Sequence, residues 1–120
     1  MRDKVNLADA FSRFSETWSP RIVAALNGQH VKVAKLEGEF VWHHHEQEDE
    51  LFLVLSGELR LEFRDRVEVL QAGELIIVPR GVDHLPVAQG QVAVLLFEPA
   101  STFHTGNVVE ERTVESPEWI

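Results

Sequence analysis

After Pro20 the apolar residues of this chain recur with the period of a strand, and turn-forming residues interrupt them at short, even intervals. Residues 21–26 and 29–36 flank Asn27-Gly28, a pair suited to a two-residue hairpin turn with positive φ. Further strands are expected at 40–45, 50–55, 58–63, 67–70, 74–78, 84–87 and 91–97. Gly38, Ser56-Gly57, Arg64-Asp65, Ala72-Gly73, Arg80-Gly81 and Gln89-Gly90 separate them. So many short strands leave an antiparallel sandwich or barrel as the architecture. With 120 residues the chain is the size of one domain, able to bury roughly two-thirds of its unfolded surface in a single core. Its expected parts are an N-terminal helical segment over 1–20, a barrel over 21–98 and a tail over 99–120.

Ahead of the strands, Leu7, Phe11, Phe14 and Trp18 recur at spacings of four, three and four, which predicts one amphipathic helix between Val5 and Trp18. Asn6 or Asp3 can cap its start, and Pro20 stops it. Two of the expected strands, Leu51-Phe52-Leu53-Val54-Leu55 and Leu75-Ile76-Ile77-Val78, are apolar on both faces, so their outer side needs cover. The helix can supply part of that cover and a second copy of the chain the rest, which predicts a homodimer. From Ser101 the sequence turns polar and acidic, setting Arg112 against Glu110, Glu111, Glu115 and Glu118. This is expected to be an irregular or wrapping tail anchored by Trp119 and Ile120.

Composition removes several kinds of chemistry. The chain has no cysteine, which excludes a disulfide scaffold, a thiolate zinc site, an iron–sulfur cluster and a cysteine nucleophile. Its 11 Lys and Arg against 20 Asp and Glu, a formal charge of −9, argue against a grip on nucleic-acid phosphates or on an anionic membrane. No window is long and apolar enough to cross a bilayer, and the first residues lack the apolar core of a signal peptide, so a soluble cytoplasmic protein is expected.

Histidine is the unusual feature. His43, His44 and His45 are consecutive and run into an acidic stretch ending at Glu50. On a strand over 40–45, His43 and His45 share one face as a two-imidazole clamp, while His44 joins Trp42 on the other face in a structural or interfacial role. Glu50, Phe52 and Val54 share a face of the next strand, and a hairpin-like return sets the Glu50 carboxylate beside the imidazoles. The turn Pro79-Arg80-Gly81 can deliver His84 as a third imidazole. Three imidazoles and one carboxylate suit a divalent transition metal, and Fe, Mn, Ni, Co, Cu and Zn all accept this donor set. Glu46, Glu48 and Asp49 read as a solvated loop whose negative field draws cations towards the site. Val41, Phe52 and Val54 are candidate pocket walls.

The segment Gly38-(x4)-His43-x-His45-(x4)-Glu50-(x6)-Gly57 resembles the first motif of the cupin superfamily, and Gly73-(x5)-Pro79-x-Gly81-(x2)-His84 resembles the second. The first motif is one residue short between its glycine and His43, and Ala88 stands where an asparagine often follows the second. The phrases FVWHHH, DELFLVLSGEL, VPRGVDH and EPASTFHTGNV are similar to small single-domain bacterial cupins of the kind described as mannose-6-phosphate isomerase-like. The resemblance implies an all-β double-stranded β-helix, or jelly-roll, barrel with a metal held by His43, His45, Glu50 and His84.

Two kinds of function fit these residues. One is a metal-dependent isomerase or dioxygenase acting on a small polar molecule such as a sugar derivative, through coordination positions that the protein leaves open. The other is a non-catalytic module that binds or senses a small ligand with the help of the metal. Apart from the ligands, His104 is the candidate acid/base or substrate contact. Phosphosugar chemistry requires inward-reaching cations, for which Lys32, Arg60 and Arg80 are available.

Overall fold

The computed structural model describes residues 3–114 and 116–120; Glu115 of the tail lies outside the described residues. A short helix α1 (Leu7–Phe11) precedes seven strands: β1 (Arg21–Leu26), β2 (Gln29–Glu39), β3 (Glu50–Phe63), β4 (Val67–Leu70), β5 (Leu75–Val78), β6 (His84–Pro99) and β7 (Glu118–Trp119). They form one sheet in the order β4-β3-β6-β2-β1-β7, with β5 also paired to β3, and the path does not close on itself.

Two long strands organise the sheet. The segments 50–55 and 58–63, expected as separate strands, run on as β3, and 84–87 and 91–97 run on as β6. Register shifts between Val54 and Ser56 and between Ser56 and Glu58 bend β3 where a turn was expected. A bulge and a tight turn use the same residues, because each needs a glycine-friendly break in the alternation. On the inner face, Phe52, Val54, Leu59, Leu61 and Phe63 of β3 meet Ala88, Val92, Val94 and Leu96 of β6 in one apolar core. The result is an all-β jelly roll with a single small helix.

The N-terminus departs from the expected helix. Asn6 caps α1 by accepting from the Asp9 amide at 3.0 Å, but the helix ends at Phe11. The Ser12 hydroxyl donates to the Asp9 carbonyl at 2.6 Å, a local bond that competes with helical continuation. The chain then runs beside β2: Thr17 bridges Lys35, and the Trp18 amide donates to the Lys35 carbonyl at 2.8 Å. Phe14 stays with the helix in a small outer cluster with Ala10, Val23 and Val33, whereas Trp18 enters the barrel core. The four-three-four spacing therefore joins residues of two different cores.

That outer cluster lies on the sheet face whose cover the sequence leaves in question. Ile77, Leu51, Phe97 and Val31 are successive cross-strand partners, as are Leu75, Leu53, Leu95 and Val33. At the Val31 and Val33 end the helix and Ile120 cover the sheet. At the other end Leu75 and Ile77 are 57% and 56% exposed. The tail returns to the sheet as expected: β7 pairs in parallel with the start of β1, although Trp119 itself is half exposed. Among the described residues no helix is long and apolar enough to cross a membrane.

Candidate metal centre

The segment carrying His43 and His45 is not the regular strand expected over 40–45. Its one ladder contact is a bridge between His43 and His84, with the His43 amide donating to the His84 carbonyl at 3.0 Å and the reverse bond at 2.9 Å. The Phe40 amide donates to the Pro86 carbonyl, and the Gly81 amide to the His45 carbonyl. These bonds pin an extended but irregular segment onto the start of β6, because β2 has already used its pairing potential up to Glu39. The alternation survives: His43 and His45 are buried, and Trp42 and His44 lie between inside and outside. Glu50 comes from the first position of β3 and His84 from the first of β6.

All four candidate ligands are therefore delivered to one place. His43, His45, Glu50 and His84 are each at most 3% exposed, and one donor atom from each lies within 4.8 Å of all the others. His45 Nε2 stands 3.3 Å and His84 Nε2 3.6 Å from Glu50 Oε1. Nδ1 of His43 faces the Val41 carbonyl at 2.9 Å, and Nδ1 of His84 faces the Val82 carbonyl at 3.0 Å. A carbonyl can only accept, so in both neutral rings the proton sits on Nδ1 and the Nε2 lone pair is directed inwards. Both ring nitrogens of His45, Nε2 of His84 and Oε1 of Glu50 are buried without a hydrogen-bond partner. Unpaired buried groups of this kind are costly, and one divalent ion would satisfy His84 Nε2, Glu50 Oε1 and one nitrogen of His45 together. The donor set and spacing fit such an ion.

Electrostatics prepares the same state. Burial, reinforced by the neighbouring His84, lowers the His43 pKa to about 4, so its ring is neutral and able to ligate. Burial pulls His45 down, but the neighbouring Glu50 carboxylate outweighs it and raises its pKa. Burial pushes Glu50 up, yet the adjacent Glu98 carboxyl and the His45 and His84 imidazoles hold it well below the usual carboxylate range. Glu98 is the opposite case: burial first, then the Glu50 charge, raises it well above that range.

Beside His43 and Glu50 lies a cavity of about 20 Å³, room for roughly one water. Its walls include Trp18, Leu36, Phe40, Phe52 and Leu96, and His104 supplies a further polar group. Of the expected pocket walls, only Phe52 lines it. Val54 is fully buried core further along β3, and Val41 packs against that core while its carbonyl is occupied by His43. His104 stacks on Phe40 with ring centroids 5.6 Å apart, and both its ring nitrogens are buried without a partner. It is carried by the segment after β6, which lies over the ligands. Asn107 and His44 exchange two hydrogen bonds of 2.9 Å, and a side chain at Gly106 would collide with the His44 carbonyl and the His43 ring. His44 also holds Asp83 at 2.9 Å, so its role in this structure is to tether.

Residues 29–99 match the family described as the cupin domain. The chain belongs to the cupin family. A cupin-2 domain protein of Shewanella frigidimarina is 45% identical to this cupin and superposes with a TM-score of 0.78, covering 79% of this chain and 93% of that one. A Neisseria meningitidis protein at 26% identity gives a TM-score of 0.75, covering 82% and 100%. YdbB of Bacillus subtilis is 41% identical over 63 residues, a match that spans 52% of this cupin and 56% of that protein.

Three features of this cupin's site escape the motifs. Lys32 and Glu98, 1% and 0% exposed, form an ion pair of 3.0 Å behind Glu50. Trp18 closes one wall of the cavity with φ at 54°, a conformation uncommon for a bulky residue, while its indole donates to the Glu37 carbonyl at 2.9 Å. Gly106 fits where nothing larger can. Only Lys32 and Glu98 left a signal, as charged residues at inward positions of apolar strands.

Proposed function

We propose that this cupin is a metal-dependent enzyme acting on a small molecule, with His43, His45, Glu50 and His84 holding a divalent transition metal. The set of buried, unpartnered ligand atoms aimed at one point carries this proposal. Iron, manganese, nickel, cobalt, copper and zinc all suit the donors. Once bound, such an ion supplies Lewis acidity and open coordination positions. The protein's own contribution is to fix two imidazoles by their Nδ1 hydrogen bonds, to keep bulk water out with Trp18, Phe40 and Phe52, and to offer His104 as a hydrogen-bonding group across the cavity.

Apolar walls favour a small molecule with an apolar body and one polar head over a polyhydroxylated one. The cations available for a phosphate are engaged elsewhere: Lys32 with Glu98, Arg60 with Glu62 at 2.9 Å, and Arg80 with Asp49 at 3.3 Å. Dioxygenation or isomerisation of an unphosphorylated molecule is therefore preferred to the phosphosugar reaction in the mannose-6-phosphate isomerase-like description. The small cavity and the close fit of Gly106 favour one alternative, a non-catalytic module in which the metal holds a ligand.

Elemental analysis of protein purified without a histidine tag tests the site. Stoichiometric metal in the wild type and none in His45→Ala is the expected result, and no metal in either removes both functions. Oxygen consumption and aldose–ketose exchange then separate the two reactions, and turnover in neither leaves the binding module.

The apolar rows that run from exposed Leu75 and Ile77 to half-buried Leu95 and Phe97 are assigned to a second copy of the chain. They adjoin the free edge of β5, an edge that soluble proteins otherwise blunt with charge. Light scattering should give a dimer for the wild type and a monomer for Ile77→Asp; a monomeric wild type excludes this assignment.

A further inference from the structure

Lys32 and Glu98 are the most fully buried salt-bridge partners among the described residues, and their position relative to the metal carboxylate follows from the sheet register. The ladder between β3 and β6 ends at Leu51 and Phe97, and its register continued by one residue places Glu50 alongside Glu98. Two carboxyl groups side by side on a buried face repel unless something offsets them. Lys32 lies across the other edge of β6, opposite Leu96, and reaches Glu98 Oε1 at 3.0 Å and the Thr102 carbonyl at 3.2 Å. Glu98 Oε2 is buried with no hydrogen-bond partner.

A buried ion pair is a poor source of stability, since the cost of dehydrating two charges offsets most of their attraction and apolar replacements are often as stable. Its placement argues for another use. We infer that Lys32 and Glu98 are positioning residues that hold the Glu50 carboxylate in its ligating orientation and tie the covering segment to the same point through Thr102. This rests on the metal-binding function proposed above. Lys32 anchors one oxygen of Glu98, and Glu98 is then the group against which Glu50 is set. Carboxylates that ligate metals are generally oriented by such partners, and losing one costs about 10–100-fold in metal affinity.

Cobalt(II) titration of the metal-free full-length protein, followed by visible absorption and competition with a chelator, tests the inference. Lys32→Met and Glu98→Met should each weaken cobalt binding by about 10–100-fold and alter the cobalt spectrum. Glu98→Gln keeps an acceptor for Lys32 and a polar group against Glu50, so it should stay close to wild type. The double variant Lys32→Met/Glu98→Met separates positioning from packing. Its thermal unfolding midpoint should match or exceed that of the wild type while its cobalt affinity stays low. Wild-type affinity in the folded double variant would overturn the inference and leave the metal site standing. A wild type that binds no cobalt would remove the metal site, and the inference with it.

Discussion

The two ends of this barrel are built from the same strands and do opposite things. At the bend, where β3 turns at Ser56-Gly57, the inward residues Val54, Leu59, Val92 and Val94 are all 0% exposed and entirely apolar. At the open end the inward positions of β2, β3 and β6 carry Lys32, Glu50, His84 and Glu98, buried just as deeply. The first end gains stability from the removal of apolar surface from water. The second spends some of it, because several of its polar atoms have no partner within the protein. Stability and ligand chemistry are thus separated along the barrel axis, and substitutions at either end should be separable too.

The largest effect is expected at the open end. His84→Ala removes a ligand and an orphaned polar atom, so stoichiometric metal should be lost by elemental analysis while the metal-free protein unfolds no more easily than the wild type. A marked fall in metal-free stability would show that the histidine cluster also supports the fold. Next comes the bend. Leu59→Ala opens a cavity in the barrel core, and chemical denaturation should show a loss of about 2–5 kcal/mol with one bound metal retained. Loss of metal from this variant would mean that the two ends are coupled.

How much of this division was legible depends on what each residue needed from its neighbours. Leu59, Val92 and Val94 alternate with half-buried or exposed positions, so strand period alone placed them inside. His43, His45, Glu50 and His84 were legible because their spacing brings them together even though the segment over 40–45 is irregular; inward alternation needs extended backbone, not a ladder. Trp18 was misplaced because helical spacing says nothing about which core a side chain enters, and here the backbone bonds to Lys35 decide it. Alternation gives Val41 and Val54 the facing of pocket walls, but depth along the barrel, which alternation does not carry, sets Val54 in the core and Val41 against it. Lys32 and Glu98 are diagonal neighbours across the β2–β6 ladder but 66 residues apart in sequence, a pairing that only register reveals.

Acidification should bear on the open end through its histidines. In the metal-free protein burial, aided by His84, keeps His43 neutral down to a pH of about 4, whereas in the unfolded chain it takes a proton near its ordinary value of 6.5. Between these values the unfolded state binds more protons, so stability rises with pH and is lost as pH falls through that window. His45 acts in the opposite sense, since a raised pKa lends stability below its ordinary value and withdraws it as pH rises. Thermal unfolding between pH 7 and 4 should therefore show a smaller loss of stability in His43→Phe than in the wild type, because that variant lacks this proton uptake. An unchanged slope in that variant would place the proton uptake elsewhere.

The smallest expected effect lies outside both ends, at the helix that covers the outer face. Asn6 holds the Asp9 amide, and α1 is only five residues long, so the cap supports much of the helix's own hydrogen bonding. Replacing it with alanine should cost about 0.5–1 kcal/mol, the low end for an exposed cap. The apolar contacts of Ala10 and Phe14 with Val23 and Val33 remain, and they hold the segment on the sheet whether or not the last turn frays. Metal stoichiometry should be unchanged, because Trp18 enters the barrel through its own bonds to Lys35 and Glu37 and does not depend on the helix for its position. Weaker metal binding in Asn6→Ala would instead link the outer face to the site through Trp18, and the barrel would no longer divide cleanly into a stabilising end and a ligating one.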